Sequence, residues 1–231
     1  MKISTRGPDM WFGHIQGEFE LLRAYVINVE NQLEKGLIQS VKSFDEEVIE
    51  YEGTDDTREH VHHRLIYDGP DDSVWAISDI FDNYFPSLHR RSCFITIYSL
   101  SEHSLENLCG RCARTSALQI TTKDLKGTGI DRSKLYLEKA VGLNLSNTAE
   151  AWEEVKELQK IRNLIVHNEG RIKEDKDANV IKRISHVRLQ GNEIVLEKGF
   201  LGYALTSFED FFRTIHESIK AQNNKSGYEP L

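Results

Sequence analysis

The sequence predicts a mainly α-helical bundle with one small β-hairpin in the C-terminal third, and three observations predict it. Apolar residues recur at helical spacing through most of the 231 residues. Capping residues and glycines fall where those periodic stretches begin and end. One segment alone, around residues 187–196, alternates apolar and polar residues about a tight Gly191-Asn192 turn.

In chain order, Phe19, Leu22, Val26, Val29 and Leu33 give a first helix that ends near Gly36. Leu37, Val41, Phe44 and Val48 continue it as a bend or as a second helix. Residues 52–58 read as a polar loop. Asp71-Asp72-Ser73 can cap a short helix carrying Ile77, Ile80, Phe81, Tyr84 and Phe85. Pro86-Ser87 opens a long helix with a stripe of Phe94, Tyr98, Leu105, Leu108 and Cys112. Asp131 caps a helix through Tyr136 and Val141. The next helix carries Leu158 and Ile161, residues 173–180 form a charged connection, and Val187, Leu189, Ile194 and Leu196 build the hairpin. Phe208, Phe211, Phe212, Ile215 and Ile219 place a last helix, and the polar tail from Gln222 is expected to be disordered. The organisation expected is one domain over residues 1–221, with helices at 15–50 packed on a core at 75–220, and a tail at 222–231.

Composition narrows the function. A hydrophobic content of 39% with 29% charged residues reads as soluble and globular. There is no basic segment followed by an apolar run, so no signal peptide is expected, and no stretch approaches the roughly 18 apolar residues of a membrane span. Three cysteines argue against a disulfide framework and for a reducing cytoplasm. The net charge of −8 excludes a general nucleic-acid coat, which would be basic. A local cationic cleft on an acidic body remains compatible with it.

The residues richest in chemistry are in the run Glu157-Leu-Gln-Lys-Ile-Arg162-Asn163-Leu-Ile-Val-His167-Asn168-Glu-Gly170. Arginine holds phosphate, histidine moves a proton near neutral pH, and asparagine orients either. At about 100° per residue, Leu158, Ile161 and Ile165 share the apolar face, while Asn163 and His167, at i and i+4, point away from it. Arg162 lies between the faces and its arm can swing to either. Asn147 or Thr148 caps the helix, with Glu150 in its first turn, and Gly170 is its natural left-handed end. Taken alone, such residues near a helix C-terminus often do nothing more than satisfy the terminal carbonyls.

Other motifs are weaker. Cys109-Gly-Arg-Cys112 lacks the second ligand pair of a structural zinc site and falls on an apolar stripe, so its thiols read as buried and structural. Glu59-His60-Val61-His62-His63 has no companion ligand cluster, and no metal or other cofactor is expected. A contact from His63 or Arg64 to a substrate phosphate is a minority reading. Lys126-Gly127-Thr128-Gly129 is too short for a phosphate-binding loop and reads as a turn. Glu102, His103, Glu106 and Asn107 lie on the long helix expected beside the motif helix. Glu102 and His103, with Asn168, are candidate substrate contacts, although a solvated helix face explains them equally well.

The pattern of Arg162, Asn163 and His167 resembles the signature of the HEPN superfamily (higher eukaryotes and prokaryotes nucleotide-binding domain). In its nuclease branches an arginine and a histidine stand four to six residues apart, often with a polar residue after the arginine. The run from Trp152 to Gly170 and the helix from Phe94 to Cys109 are similar to bacterial HEPN-like proteins, and the resemblance covers roughly residues 75–220. It implies a metal-independent endoribonuclease in which the RNA 2′-hydroxyl attacks, His167 acts as general acid or base and Arg162 holds the scissile phosphate. It further implies a homodimer that opposes two motifs across one cleft, and a toxin or phage-defence role with an antitoxin or regulatory partner. Other HEPN-like domains are non-catalytic nucleotide-binding or dimerising modules. In toxins paired with a nucleotidyltransferase antitoxin, a modified tyrosine stands two residues after the histidine. Glu169 stands there in this chain, which puts that mode of control in doubt.

Overall fold

A computed structural model describes residues 6–40, 45–49, 62–66, 76, 79–173 and 175–225. The chain is mainly helical, with the predicted hairpin in its C-terminal third. It divides into two compact units, Met1–Val26 with Arg91–Leu231, and Ile27–Arg90. Among the described residues no helix is long and apolar enough to cross a membrane.

The Ile27–Arg90 unit takes the later part of α1 (Arg6–Ser40), a strand pair, and a single π-helical turn at Ile80–Tyr84 that runs into α2 (Phe85–Thr115). Arg90 makes a forked pair with Glu30, Nε to Oε1 at 2.9 Å and Nη2 to Oε2 at 2.7 Å, with both side chains largely buried. One expectation holds in part in this unit and one fails. α1 passes through Gly36 to Ser40, so Leu37 continues the first helix, as one of the two alternatives had it, and Val41 and Phe44 lie outside the described residues. Val48, expected on a helix, instead lies in β1 (Asp45–Ile49), antiparallel to β2 (His62–Ile66) with Val48 opposite His63. Helical spacing is a local signal, whereas this ladder joins segments more than a dozen residues apart, and β-branched Val48 and Ile49 suit it well. The loop at 52–58, the cap at 71–73 and His60 lie outside the described residues.

The larger unit packs its helices around aromatic rings from α6 (Phe200–Lys225). Phe200 meets Phe94 of α2 at 5.0 Å, Phe208 meets Tyr98 at 5.6 Å, and Phe212 meets Trp11 of α1 edge-on at 5.6 Å. α3 (Gly129–Lys139) and α4 (Ala149–Asn168) complete the layer, and Phe211 takes Trp152 of α4 at 5.3 Å. β3 (Val187–Gln190) and β4 (Glu193–Leu196) pair about the Gly191-Asn192 turn, where Gly191 has the positive φ of 61° that a two-residue hairpin favours. The predicted charged connection at 173–180 is mostly a helix, α5 (Asp175–Ile181). Its charges hide an anchor, fully buried Ile181, and Asp177 pairs with Lys160 of α4 at 2.7 Å. The residues from Gln222 to Lys225, expected in a disordered tail, instead belong to α6, which buries Asn223 one turn after Ile219. Asp131 does not cap α3 but lies in its first turn, behind Thr128.

Cys93, Cys109 and Cys112 are free and buried, in agreement with the structural reading of these thiols. The Cys109 thiol donates to the Ser133 carbonyl at 3.4 Å. Burial above all pushes Cys109 up to about 12 and Cys112 up to about 11. In the unfolded chain a thiol ionises near 8.5. The stability linked to these two protonated thiols is therefore fully present below about pH 8.5 and declines as pH rises toward the folded values. Iodoacetamide at pH 8 is expected to leave both unmodified in the native protein and to alkylate both in denaturant. Equal labelling in the two conditions would contradict the packing.

Candidate functional site

The site is built on α4. Its buried stripe is Val155, Leu158, Ile161 and Leu164. Ile165, expected on that stripe, is half-buried because the contact face drifts around the helix by successive steps of three residues. Neither expected cap residue caps by its side chain. The Thr148 hydroxyl donates to the Leu145 carbonyl at 2.8 Å, and Asn147 is engaged by α6, donating to the Thr214 carbonyl at 3.1 Å and accepting from Ser218 at 2.6 Å.

At the C-terminal end Gly170 is left-handed just past the C-cap residue and His167 lies in the last turn, as expected, but Glu169 is left-handed as well. The first left-handed residue is Glu169 (φ 55°, ψ 27°), with Gly170 following at φ 78°. The Gly170 N–H donates to the Leu164 carbonyl at 2.8 Å. Arg91 of α2 braces this turn: it donates to the Glu169 carbonyl at 3.3 Å, to Glu193 Oε1 of the hairpin at 2.8 Å, and to the Ile194 carbonyl. The φ of Gly170 favours glycine, and a Cβ there would lie 2.9 Å from the Arg91 guanidinium carbon and displace the brace. Glu169 has the opposite problem, an L-residue where glycine is cheaper. Glu169→Gly is expected to stabilise the fold by about 1 kcal/mol, seen as a higher denaturant midpoint. A lower midpoint would mean that the Glu169 side chain holds the turn.

Arg162 swings inward. Its guanidinium carbon lies 5.7 Å from the centre of the Tyr98 ring, and its Nη1 donates to Asn163 Oδ1 at 3.1 Å. Tyr98 is 2% exposed and its phenol is pushed up, first by burial and next by the negative charge of Glu102, while Arg162 pulls it down. The phenol therefore keeps its proton and offers the arginine a neutral aromatic face, a contact worth roughly 0.5–2 kcal/mol. Beside it, Asp131 accepts from Lys156 Nζ at 2.8 Å and from Gln159 Nε2 at 2.9 Å.

The remaining predicted residues are placed unequally. Asn163 and His167 are both exposed on the outer face of α4, as their spacing predicts, and exposed Val166 (47%) lies beside them. Asn163 bonds to Arg162, where an orienting contact to His167 or to a phosphate was expected. Glu102 shares the neighbourhood of Tyr98, but its carboxylate is set against the start of α3, where a Cβ at Gly129 would lie 2.1 Å from Oε1. His103 is exposed on α2. Asn168 is half-buried, and its carbonyl accepts the Arg171 N–H at 2.8 Å. His62 and His63 lie in β2, and among the described residues no group of three potential metal ligands is gathered. Open clefts of about 350, 230 and 520 Å³ are lined by other residues. Sequence reasoning missed Arg91 altogether and read Tyr98 only as core. The signal for Tyr98 was its hydroxyl, since a buried tyrosine needs a polar neighbourhood.

Comparison of the chain with family models, with curated proteins and with solved structures finds no match. The geometry of α4 therefore carries the functional argument by itself. A guanidinium held on an aromatic face, next to an exposed amide and an exposed imidazole, is suited to binding an anionic oxygen and exchanging a proton nearby.

Proposed function

We propose that this protein is a metal-independent endoribonuclease of the HEPN type. The observation that carries the reading is the fixed position of Arg162, held by Tyr98 and Asn163 at the edge of the exposed Asn163–His167 face. RNA supplies its own nucleophile, the 2′-hydroxyl. Attack on the adjacent phosphorus forms a 2′,3′-cyclic phosphate and expels the 5′-oxygen of the next nucleotide. The 2′-proton must be removed and a proton must reach the leaving oxygen. His167 serves one of these transfers, and Arg162 stabilises the extra negative charge on the phosphorane-like transition state.

One imidazole cannot conveniently make both transfers in a single turnover. The second comes from another copy of the chain in a two-fold dimer that opposes the two α4 faces. Exposed Val166 beside Asn163 and His167 supports an apolar contribution to that contact. A toxin or phage-defence role, held in check by a regulatory protein, fits an activity that would be harmful if unrestrained.

The purified protein is expected to cleave total RNA in the presence of EDTA and to leave 2′,3′-cyclic phosphate ends. Cleavage abolished by EDTA and restored by Mg²⁺ would refute the mechanism. Full activity from a monomer at high micromolar concentration, by light scattering, would refute the composite site.

A further inference from the structure

We infer that Arg171 and Lys173 form a phosphate-binding strap for single-stranded RNA running past His167, an assignment that rests on the ribonuclease reading above. The segment comes directly off the end of α4 and is held rigidly. The Arg171 N–H donates to the Asn168 carbonyl at 2.8 Å, and the Arg171 backbone forms an isolated antiparallel β-bridge with that of Glu193, whose carboxylate is held by Arg91. On either side, the Ile172 N–H donates to the Asn192 carbonyl at 2.7 Å and the Gly170 carbonyl accepts from Ile194 at 2.8 Å. The backbone thus lies extended along the edge of the hairpin. Exposure alternates along it: Arg171 is exposed, Ile172 half-buried and Lys173 exposed. Two cations consequently stand on one outer side, about 7 Å apart for a two-residue strand repeat. That separation is close to the spacing of successive phosphates along a stretched single strand.

Charge and position together mark these two residues. Several other basic side chains of this unit are matched: Lys156 with Asp131, Lys160 with Asp177, Arg91 with Glu193 and Arg188 with Glu197. Arg171 and Lys173 have no carboxylate partner among the described residues. On a chain of net charge −8, these two cations follow His167 by only four and six residues. Glu169 precedes them and Glu174 follows in sequence, so the strap is short. It fits two phosphates of one strand and does not extend into a basic coat.

The test uses the full chain and a 2′-O-methyl oligonucleotide, which lacks the attacking hydroxyl and stays intact. Fluorescence anisotropy over a salt series gives affinity and salt dependence together. The Arg171→Gln, Lys173→Gln double variant is expected to bind about 10-fold more weakly at low salt. Its salt slope should fall by about 1.4, at ~0.7 for each of two phosphates on a single strand. Lys156→Gln, whose charge is already matched by Asp131, should bind as the unaltered protein does. Unchanged affinity and slope in the double variant overturn the strap, as does equal weakening by Lys156→Gln or no binding by the unaltered protein. The two readings fail separately. Strap-dependent binding without cleavage of natural RNA removes the ribonuclease and keeps the strap, and cleavage with unaltered binding in the double variant does the reverse.

Discussion

Replacing His167 by alanine is expected to lower RNA cleavage roughly 10²- to 10⁴-fold, the usual contribution of a positioned acid or base. The thermal midpoint should hardly move, because His167 is exposed and substitutions at such positions usually stay within about 0.5 kcal/mol. Arg162→Ala should abolish cleavage to a similar degree with a somewhat larger stability loss, since it removes the contact with Tyr98. Arg162→Lys should also cleave poorly, because lysine keeps the charge but neither stacks nor forks in the same way. Cys109→Ser provides the contrast, with stability changing more than activity. Variants that stay folded and cleave at the unaltered rate would end the ribonuclease assignment. Variants that unfold would make the motif structural and favour a non-catalytic binding module.

The largest effect on stability is expected at Phe212. Its ring meets Trp11 at 5.6 Å, Phe19 at 5.7 Å, Phe211 at 6.0 Å and Phe208 at 6.4 Å. Truncation to alanine removes the ring from a core that cannot close over the space, at a cost of about 3–5 kcal/mol. Denaturant titration of the variant beside the unaltered protein measures this directly. A loss below about 1 kcal/mol would mean that the first turns of α1 do not pack on α6 as described.

Much of this fold is legible in the sequence because its signals are local. The Phe94–Tyr98–Leu105–Leu108–Cys112 stripe, the phenylalanines of α6 and the Gly191-Asn192 turn each state their own geometry within a few residues. The parts that were not legible depend on distant partners. Val48 joins a strand only because residues 62–66 pair with it, and α5 forms on the strength of buried Ile181 and the Lys160–Asp177 pair. At the site, the spacing of Asn163 and His167 correctly gives their common exposed face. The direction taken by Arg162 was open, since nothing near it in sequence identifies Tyr98, 64 positions earlier, as the ring beneath it. The helix end was legible, with Gly170 left-handed just past the C-cap residue and His167 in the last turn, whereas the left-handed conformation of Glu169 was not, since glycine is the usual residue there.

The brace formed by Arg91 has a consequence for how His167 is presented. The last turn of a helix ordinarily frays, opening and closing at little cost. Here that turn is tied to α2 and to the hairpin by a side chain from outside the helix. Backbone freedom at the end of α4 is thus removed during folding and not at the moment a ligand arrives. An imidazole carried on such a turn has only its own side-chain torsions left to settle, and the entropy lost on reaching a reactive geometry is correspondingly smaller.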